Sequence, residues 1–136
     1  MPEFAVHNLS ELEPIARQLV ALLDAKKVLC FQGDLGAGKT TLIQQIARLI
    51  GVEGEVSSPT FALVNTYTSN LGLVYHFDLY RIQGEEELYD IGFEEYLDSG
   101  QPCLIEWPEM AGSLLPEDAL IIQLHSNREG ERRIGW

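Results

Sequence analysis

The stretch that decides the fold is Gly33-Asp34-Leu35-Gly36-Ala37-Gly38-Lys39-Thr40, which Thr41 follows directly. It fits the pattern Gly-x-x-x-x-Gly-Lys-Ser/Thr, whose glycines let successive backbone N–H groups turn inward around a polyphosphate. In such a loop the lysine, here Lys39, brings a cation to the β- and γ-phosphates, and the hydroxyl of Thr40 can ligate Mg²⁺. The stretch therefore predicts a nucleotide site in which residues 33–41 hold the phosphates.

The segments on either side supply the context that this pattern needs. Residues 28–32 are nearly all apolar, as expected of a strand that is covered on both faces of a parallel sheet. Residues 41–50 have the apolar spacing of an amphipathic helix, whose first N–H groups would face the phosphates. A glycine-rich turn that ends in Lys-Thr by coincidence is the alternative, but it gives no reason for the two flanks.

The composition is that of a compact acidic protein. The chain has 136 residues, 46% of them hydrophobic, so we expect one compact domain over residues 1–136, which the phosphate loop marks as a P-loop domain. No apolar run approaches the roughly 18 residues of a membrane span, and the first residues lack the features of a signal peptide, so we expect a cytoplasmic protein without membrane contact. The net charge of -12 argues against unaided binding to a nucleic-acid backbone. It fits a basic protein partner, or solubility alone.

The rest of the chain alternates helical and extended patterns. An amphipathic helix lies before the first strand, with Pro14 favoured at its first position, and a helical stretch over residues 84–97 is expected to break at Gly92. Further strands are predicted over residues 61–67 and 73–77, which we expect to pair as an antiparallel hairpin. Others are predicted over residues 102–106 and 119–125, with a short last one from Arg132. We therefore predict an α/β fold with a parallel core sheet, antiparallel strands at its edges and helices on both faces.

The helical stretch over residues 84–97 and the residues just after it are unusually acidic. Seven acidic residues and no basic ones lie between Gly84 and Gly100. The simpler interpretation is a solvated helix face, and the sharper one is a docking surface for a basic partner.

Hydrolysis of a bound nucleotide needs more than the phosphate loop. Glu106 closes a short apolar strand, where a carboxylate can serve as a second Mg²⁺ anchor, although a structural acid would look the same. Asp78 ends the preceding strand and could orient the attacking water, or cap the next segment. Thr60 stands in the first loop after the phosphate-loop helix, where switch-type enzymes sense the γ-phosphate, although Ser-Pro-Thr could equally form a turn. His76 lies on the same strand face as Asp78, and we expect it to support the site rather than to act as a base.

Rival phosphate-loop classes leave different signatures. The guanine-recognition strings of GTPases and the Leu-Ser-Gly-Gly-Gln signature of ABC ATPases do not occur. A small-molecule kinase stays open, with Asp78 taking a proton from a substrate hydroxyl, but its arginine lid would have to come from Arg128, Arg132 and Arg133. Arg81 is the one arginine that the sequence offers as a finger near the phosphates.

Five blocks of the sequence together resemble the bacterial TsaE family, formerly called YjeE, the small ATPases of tRNA threonylcarbamoyladenosine biosynthesis. The match spans nearly the whole chain at similar spacing, and its two most specific blocks contain His-Phe-Asp-Leu-Tyr-Arg and Ile-Glu-Trp-Pro. The blocks are residues 33–41, Ser-Pro-Thr-Phe (58–61), Val-Tyr-His-Phe-Asp-Leu-Tyr-Arg (74–81), Glu-Glu-Leu (86–88) and Leu-Ile-Glu-Trp-Pro (104–108).

The resemblance implies a set of roles at the site. Lys39 would hold phosphate, Thr40 and Glu106 would bind Mg²⁺, Asp78 would be needed for hydrolysis, and Thr60 would be the switch-like threonine. Further residues are implied beside the nucleotide, with Trp107 next to the site and two positions lining the base pocket, Leu9 and Gly130.

The resemblance also implies cofactors and partners. ATP and Mg²⁺ would be bound, and the ATPase would act with the TsaD–TsaB pair, which transfers a threonylcarbamoyl group to adenosine 37 of tRNA. Contact with tRNA would then be indirect, through that pair. ATP binding or hydrolysis would reset the assembly between turnovers. A module that uses ATP only to set the shape of the assembly, without required hydrolysis, is the remaining alternative.

Overall fold

The structure is a computed structural model that describes residues 2–127 and 129–136, so Arg128 lies outside the described residues. Within them, seven strands form a single sheet. The strands are β1 (Glu3–Val6), β2 (Val28–Gln32), β3 (Val64–Ser69), β4 (Gly72–Asp78), β5 (Cys103–Glu106), β6 (Leu120–Ser126) and β7 (Arg132–Gly135). The α-helices are α1 (Leu12–Leu22), α2 (Lys39–Leu49), α3 (Glu85–Asp90) and α4 (Phe93–Leu97), and 3-10 turns cover Leu9–Glu11 and Pro108–Leu114.

The sheet has the order β1-β7-β6-β2-β5-β4-β3. Its four central strands, β6, β2, β5 and β4, run parallel to one another. The outer strands β3, β7 and β1 each pair antiparallel to their neighbours. This architecture confirms the predicted α/β fold with a parallel core and antiparallel edges.

Two buried cores cover the two faces of the sheet. On one face α1 and α2 pack together and bury leucine and isoleucine side chains against β2, β6 and β7. On the other face α3, α4 and the 3-10 segment bury Phe77 and Phe93, whose rings meet edge to face at 5.1 Å. Helices on both faces bury β2 completely on either side, which explains its continuous apolar run. Its Cys30, like Cys103 on β5, is a free buried cysteine, and burial raises the pKa of each thiol to about 12.

The elements differ from the predicted ones in three places. Strand β1 was not predicted, because Glu3–Val6 is too short to show a period. The hairpin exists but begins later, since Leu63 has a left-handed φ of 69° that stops the strand. Helix α1 begins at Leu12, so Pro14 is its third residue, where an N–H has no partner within the helix anyway. The short last strand, for which no neighbours were predicted, lies between β1 and β6.

The predicted break of the acidic helical stretch is confirmed. Gly92 adopts a φ of 73° between α3 and α4, a conformation that costs a glycine little.

No helix among the described residues is both long and apolar enough to cross a bilayer.

Candidate nucleotide site

The phosphate loop connects the carboxyl end of β2 to the first residue of α2. Gly36 and Gly38 have φ values of 79° and 100°, which side chains rarely adopt. Gly33 is required for another reason, since a Cβ there would lie 2.5 Å from the carbonyl oxygen of Leu124 on β6. The loop thus needs its glycines for left-handed turns and for close packing on a neighbouring strand.

Lys39 is the first residue of α2, and its side chain returns over the loop. The ammonium donates to the carbonyl oxygen of Gly33 and, at 2.9 Å, to that of Asp34. It also lies 4.2 Å from the ring centre of Trp107. The residue is 5% exposed, and burial lowers the pKa of Lys39 below its ordinary value, although nearby carboxylates, Glu106 foremost, oppose that shift. A buried cation held by neutral carbonyl groups is suited to an anionic ligand.

Two carboxylates lie side by side at the edge of the sheet where the loop begins. Asp78 ends β4 and Glu106 ends β5, and the two residues are register partners on parallel strands. Both are nearly buried, at 5% and 3% exposure. We call Asp78, Glu106 and the polar side chains bound to them, Ser58, Thr60 and His76, the carboxylate cluster.

Asp78 is held from three directions. One of its oxygens accepts the backbone N–H of Tyr80 at 3.0 Å. The other accepts the hydroxyl of Ser58 and, at 3.1 Å, that of Thr60. The Ser-Pro-Thr segment is therefore docked on Asp78 by two hydroxyl groups. A movement of this segment would change the hydrogen bonds of the carboxylate.

Glu106 connects the cluster to the phosphate loop. Its Oε1 accepts the Thr40 hydroxyl at 2.8 Å, and its Oε2 is 2.7 Å from Nε2 of the fully buried His76. Because the carboxylate accepts, Nε2 of the imidazole carries a proton. Nδ1 lies 3.2 Å from the hydroxyl oxygen of Tyr67, which also donates to the carbonyl oxygen of Ser57. A chain of hydrogen bonds thus runs from Tyr67 through His76 and Glu106 to Thr40.

Most of the residues that the sequence assigned to the site border one cavity of about 470 Å³. The structure brings together at its wall Leu35, Gly36, Gly38, Lys39, Thr40, Thr41, Thr60, Asp78 and Glu106. Trp107 borders the same cavity, at the place that the resemblance implies for it. Sequence positions 35, 36, 38–41, 60, 78 and 106 are therefore neighbours in space.

Five of the predicted site residues lie elsewhere. Gly33 and Asp34 border a different cavity, of about 320 Å³. Ala37 is buried in the core beneath the loop. Leu9 and Gly130 border a separate small cavity of about 190 Å³ beside β1. Arg132 borders both that cavity and the large one, so it stands between them.

The structure adds Ser58 and Tyr67, which received no role from the sequence, and it places Arg132, considered there only for a kinase lid, beside the phosphate loop. Ser58 had a visible signal, because it belongs to the same Ser-Pro-Thr segment as Thr60. Tyr67 reaches His76 only because β3 pairs with β4, and Arg132 reaches the phosphate loop only because β7 is inserted beside β6. Arg81, the predicted finger, borders the large cavity, and its guanidinium lies 4.7 Å from the ring centre of the exposed Phe61.

The side chains around the large cavity fit a phosphate chain with a hard cation. The Thr40 hydroxyl and a Glu106 carboxylate oxygen are hydrogen-bonded to each other, and both are oxygen donors of the kind that Mg²⁺ prefers. Within residues 2–127 and 129–136, no group of three or more His, Cys, Asp or Glu forms a metal site made of protein alone. This suits Mg²⁺, which commonly takes one or two protein oxygens and completes its shell with substrate phosphates and water.

Comparison with known proteins adds a family and a fold. A family model described as "Threonylcarbamoyl adenosine biosynthesis protein TsaE" matches residues 6–134. The chain is 41% identical to the tRNA threonylcarbamoyladenosine biosynthesis protein TsaE of Haemophilus influenzae over 80% of its own length and 70% of that protein's. It is 36% identical to the Bacillus subtilis protein of the same name, over 93% and 79% of the two lengths.

A further relative and a solved structure support the same family and fold. The Treponema pallidum protein of the same name is 40% identical, over 83% of each chain. The crystal structure of Bacillus subtilis YdiB superposes with a TM-score of 0.79 at 32% identity, over 98% of this chain and 82% of that one.

Proposed function

Because the chain belongs to the TsaE family of threonylcarbamoyl adenosine biosynthesis proteins, we propose that it is the ATPase subunit of a tRNA-modifying assembly. It binds Mg-ATP in the large cavity, hydrolyses it there, and thereby drives or resets a TsaD–TsaB complex that threonylcarbamoylates adenosine 37 of tRNA. Residues 1–136 act as one P-loop ATPase domain. The observation that carries the proposal is that the phosphate loop and the carboxylate cluster meet at one cavity, through Thr40 and Glu106.

The phosphate loop does the binding. The backbone N–H groups of residues 33–41 and the N-terminus of α2 face the phosphate oxygens, and Lys39 leaves the loop carbonyls to pair with the β- and γ-phosphates. The Lys39 side chain then stays at the loop, because phosphate oxygens take the place of the carbonyl oxygens as its hydrogen-bond acceptors. Trp107 shields this ammonium from water on one side.

The carboxylate cluster does the chemistry. Thr40 and Glu106 would hold Mg²⁺, and His76 fixes the orientation of Glu106. A Mg²⁺ ion held there would neutralise the negative charge that develops on the phosphates during hydrolysis. Asp78 accepts a hydrogen bond from the attacking water and orients it toward the γ-phosphorus. The water oxygen forms a bond to that phosphorus as the bond between the phosphorus and the β–γ bridging oxygen breaks. The products are ADP and inorganic phosphate.

Hydrolysis by the chain alone is slow in this account. Arg81 is stacked on the exposed Phe61 at the rim of the cavity and is not paired with a carboxylate of any described residue. An arginine that contacts the transferring phosphoryl group contributes about 10³–10⁵ in rate, and such a contact is often completed by a partner. TsaD–TsaB would then accelerate hydrolysis, either by moving Arg81 inward or by supplying a cation of its own.

The test follows the γ-phosphate of labelled ATP with the purified chain alone, and then with TsaB, TsaD and tRNA. We expect label to appear as inorganic phosphate, faster in the complete mixture, and to depend on Mg²⁺. Equal rates with and without the partners would contradict activation. Label on a small-molecule acceptor would identify a kinase instead. Modification of tRNA with a nonhydrolysable ATP analogue at the normal rate would leave only the role of an assembly module.

A further inference from the structure

Two adjacent arginines begin strand β7, and they have opposite environments. Arg133 lies on one face of the sheet, where its guanidinium forms ion pairs with Glu3 at 3.0 Å and Glu131 at 3.3 Å. Arg132 lies on the other face, because side chains alternate along a strand. Across residues 2–127 and 129–136, the Arg132 side chain has no ion pair and no hydrogen bond. The half-buried guanidinium is thus left without a counter-charge in an acidic protein.

Arg132 touches the phosphate loop itself. A Cβ added to Gly38 would lie 2.5 Å from one terminal nitrogen of this guanidinium, and 3.4 Å from its central carbon. The contact depends on sheet topology, because β7 runs antiparallel to β6 and starts at the edge where the loop leaves β2. The residue that precedes Lys39 is therefore next to a second cation that comes from the far end of the chain.

The sheet order shows on which side of the phosphate loop the Arg132 cation lies. The carboxylate cluster lies on β4 and β5, to one side of β2, whereas Arg132 lies on β7, to the other side. Arg132 also borders the small cavity formed with Leu9 and Gly130. A nucleotide whose γ-phosphate faces Asp78 places its α-phosphate and its base on the Arg132 side.

We infer that Arg132 binds the α-phosphate of a nucleoside diphosphate or triphosphate, as a second cationic clamp opposite the carboxylate cluster. The inference rests on the proposed function, since it concerns the same nucleotide site. A guanidinium presents its N–H groups as a fork that matches two phosphate oxygens, which an ammonium cannot do. The ligand supplies the counter-charge that the described protein residues do not supply to Arg132.

The test compares equilibrium affinities for ADP and ATP, measured by titration calorimetry with Mg²⁺, in Arg132→Ala, Arg132→Lys and Arg133→Ala. Loss of a charge-assisted hydrogen bond predicts that Arg132→Ala weakens ADP and ATP alike, by roughly 10–100-fold. The nucleotide affinities of Arg132→Lys should lie between those of the wild type and Arg132→Ala, because lysine keeps the charge without the fork. Arg133→Ala should stay within about twofold, as a surface substitution does.

The outcomes separate this inference from the proposal on which it rests. Unchanged ADP affinity in Arg132→Ala overturns the inference, and so does a loss confined to ATP, which would assign the arginine to the γ-phosphate. Failure of the wild-type chain to bind either nucleotide would instead overturn the proposed function. Thermal unfolding without ligand checks the fold of each variant. If Arg132→Ala is destabilised, the nucleotide affinities of Arg132→Lys and Arg133→Lys are compared instead. Equal affinities in those two variants overturn the inference.

Discussion

The phosphate loop and the carboxylate cluster face the same cavity, but they are built in different ways. The loop is contiguous, and it needs its own glycines plus one close contact with Leu124. The cluster draws on three separate segments, and its Thr40–Glu106 bond joins residues 66 positions apart. A contiguous loop can recognise phosphate by itself, whereas the chemistry depends on the register of parallel strands. Binding and hydrolysis should therefore be separable by substitution.

The largest expected effect is on the cluster side. Asp78→Asn removes the group that we propose orients the attacking water, and loss of such a residue commonly lowers the rate by about 10²–10⁴. We expect ATP affinity to change little, because Asp78 forms no hydrogen bond with the phosphate loop among the described residues. Single-turnover hydrolysis and calorimetry measure the two quantities separately. Asp98→Asn, a change at an exposed residue after α4, is the control. A tenfold loss of ATP affinity in Asp78→Asn would show that binding and hydrolysis cannot be separated by substitution at this residue.

The second effect is on the loop side. Lys39→Gln removes a charge-assisted contact with phosphate and should weaken ATP binding roughly 10–100-fold. Lys26→Gln is a matched control, since Lys26 precedes β2 and lies at the opposite edge of the sheet. Calorimetry checks both variants. Normal ATP affinity in Lys39→Gln would show that the loop lysine is not part of the binding site.

Most of the loop side could be predicted from the sequence, because the motif, the strand before it and the helix after it are adjacent in the chain. Asp78 and Glu106 could also be predicted, since each one closes an apolar strand. Tyr67 and Arg132 could not, because each reaches the site only through the pairing of a neighbouring strand. The strand β1, which sets β7 inside the sheet, is too short to leave a pattern. The residues of single segments and the general sheet type could thus be predicted, whereas the register that brings Tyr67 to His76 and the position of β7 in the sheet could not.

The third effect tests how the cluster is held together. His76→Phe removes the donor to Glu106, and loss of a group that orients a metal ligand costs about 10-fold or more in metal affinity. We expect the Mg²⁺ concentration for half-maximal hydrolysis to rise by that factor, with nucleotide affinity in the absence of Mg²⁺ unchanged. His76→Gln, whose amide can donate to the same oxygen, should recover part of the loss. If Phe and Gln behave alike, the bond to Glu106 has only a structural role.

The smallest effect concerns the Ser-Pro-Thr segment. Ser58→Ala removes one of two hydroxyls that hold Asp78, and a neutral hydrogen bond predicts a change in hydrolysis rate of roughly 2–10-fold. Ser57→Ala is the control, because its side chain is exposed and makes no hydrogen bond to any described residue. Single-turnover rates at saturating ATP check the pair. Equal rates in the two variants would remove Ser58 from the cluster.

We propose that the carboxylate cluster turns nucleotide binding into repeated rounds of tRNA modification. The most direct measurement counts threonylcarbamoyladenosine formed per TsaD–TsaB complex, with a threonylcarbamoyl donor, ATP and tRNA in excess, when the wild-type chain or Asp78→Asn is supplied. We predict many rounds with the wild type, and with Asp78→Asn a single round that stops at one product per complex. Continued turnover with Asp78→Asn at the wild-type rate, with no hydrolysis detected, would contradict the account.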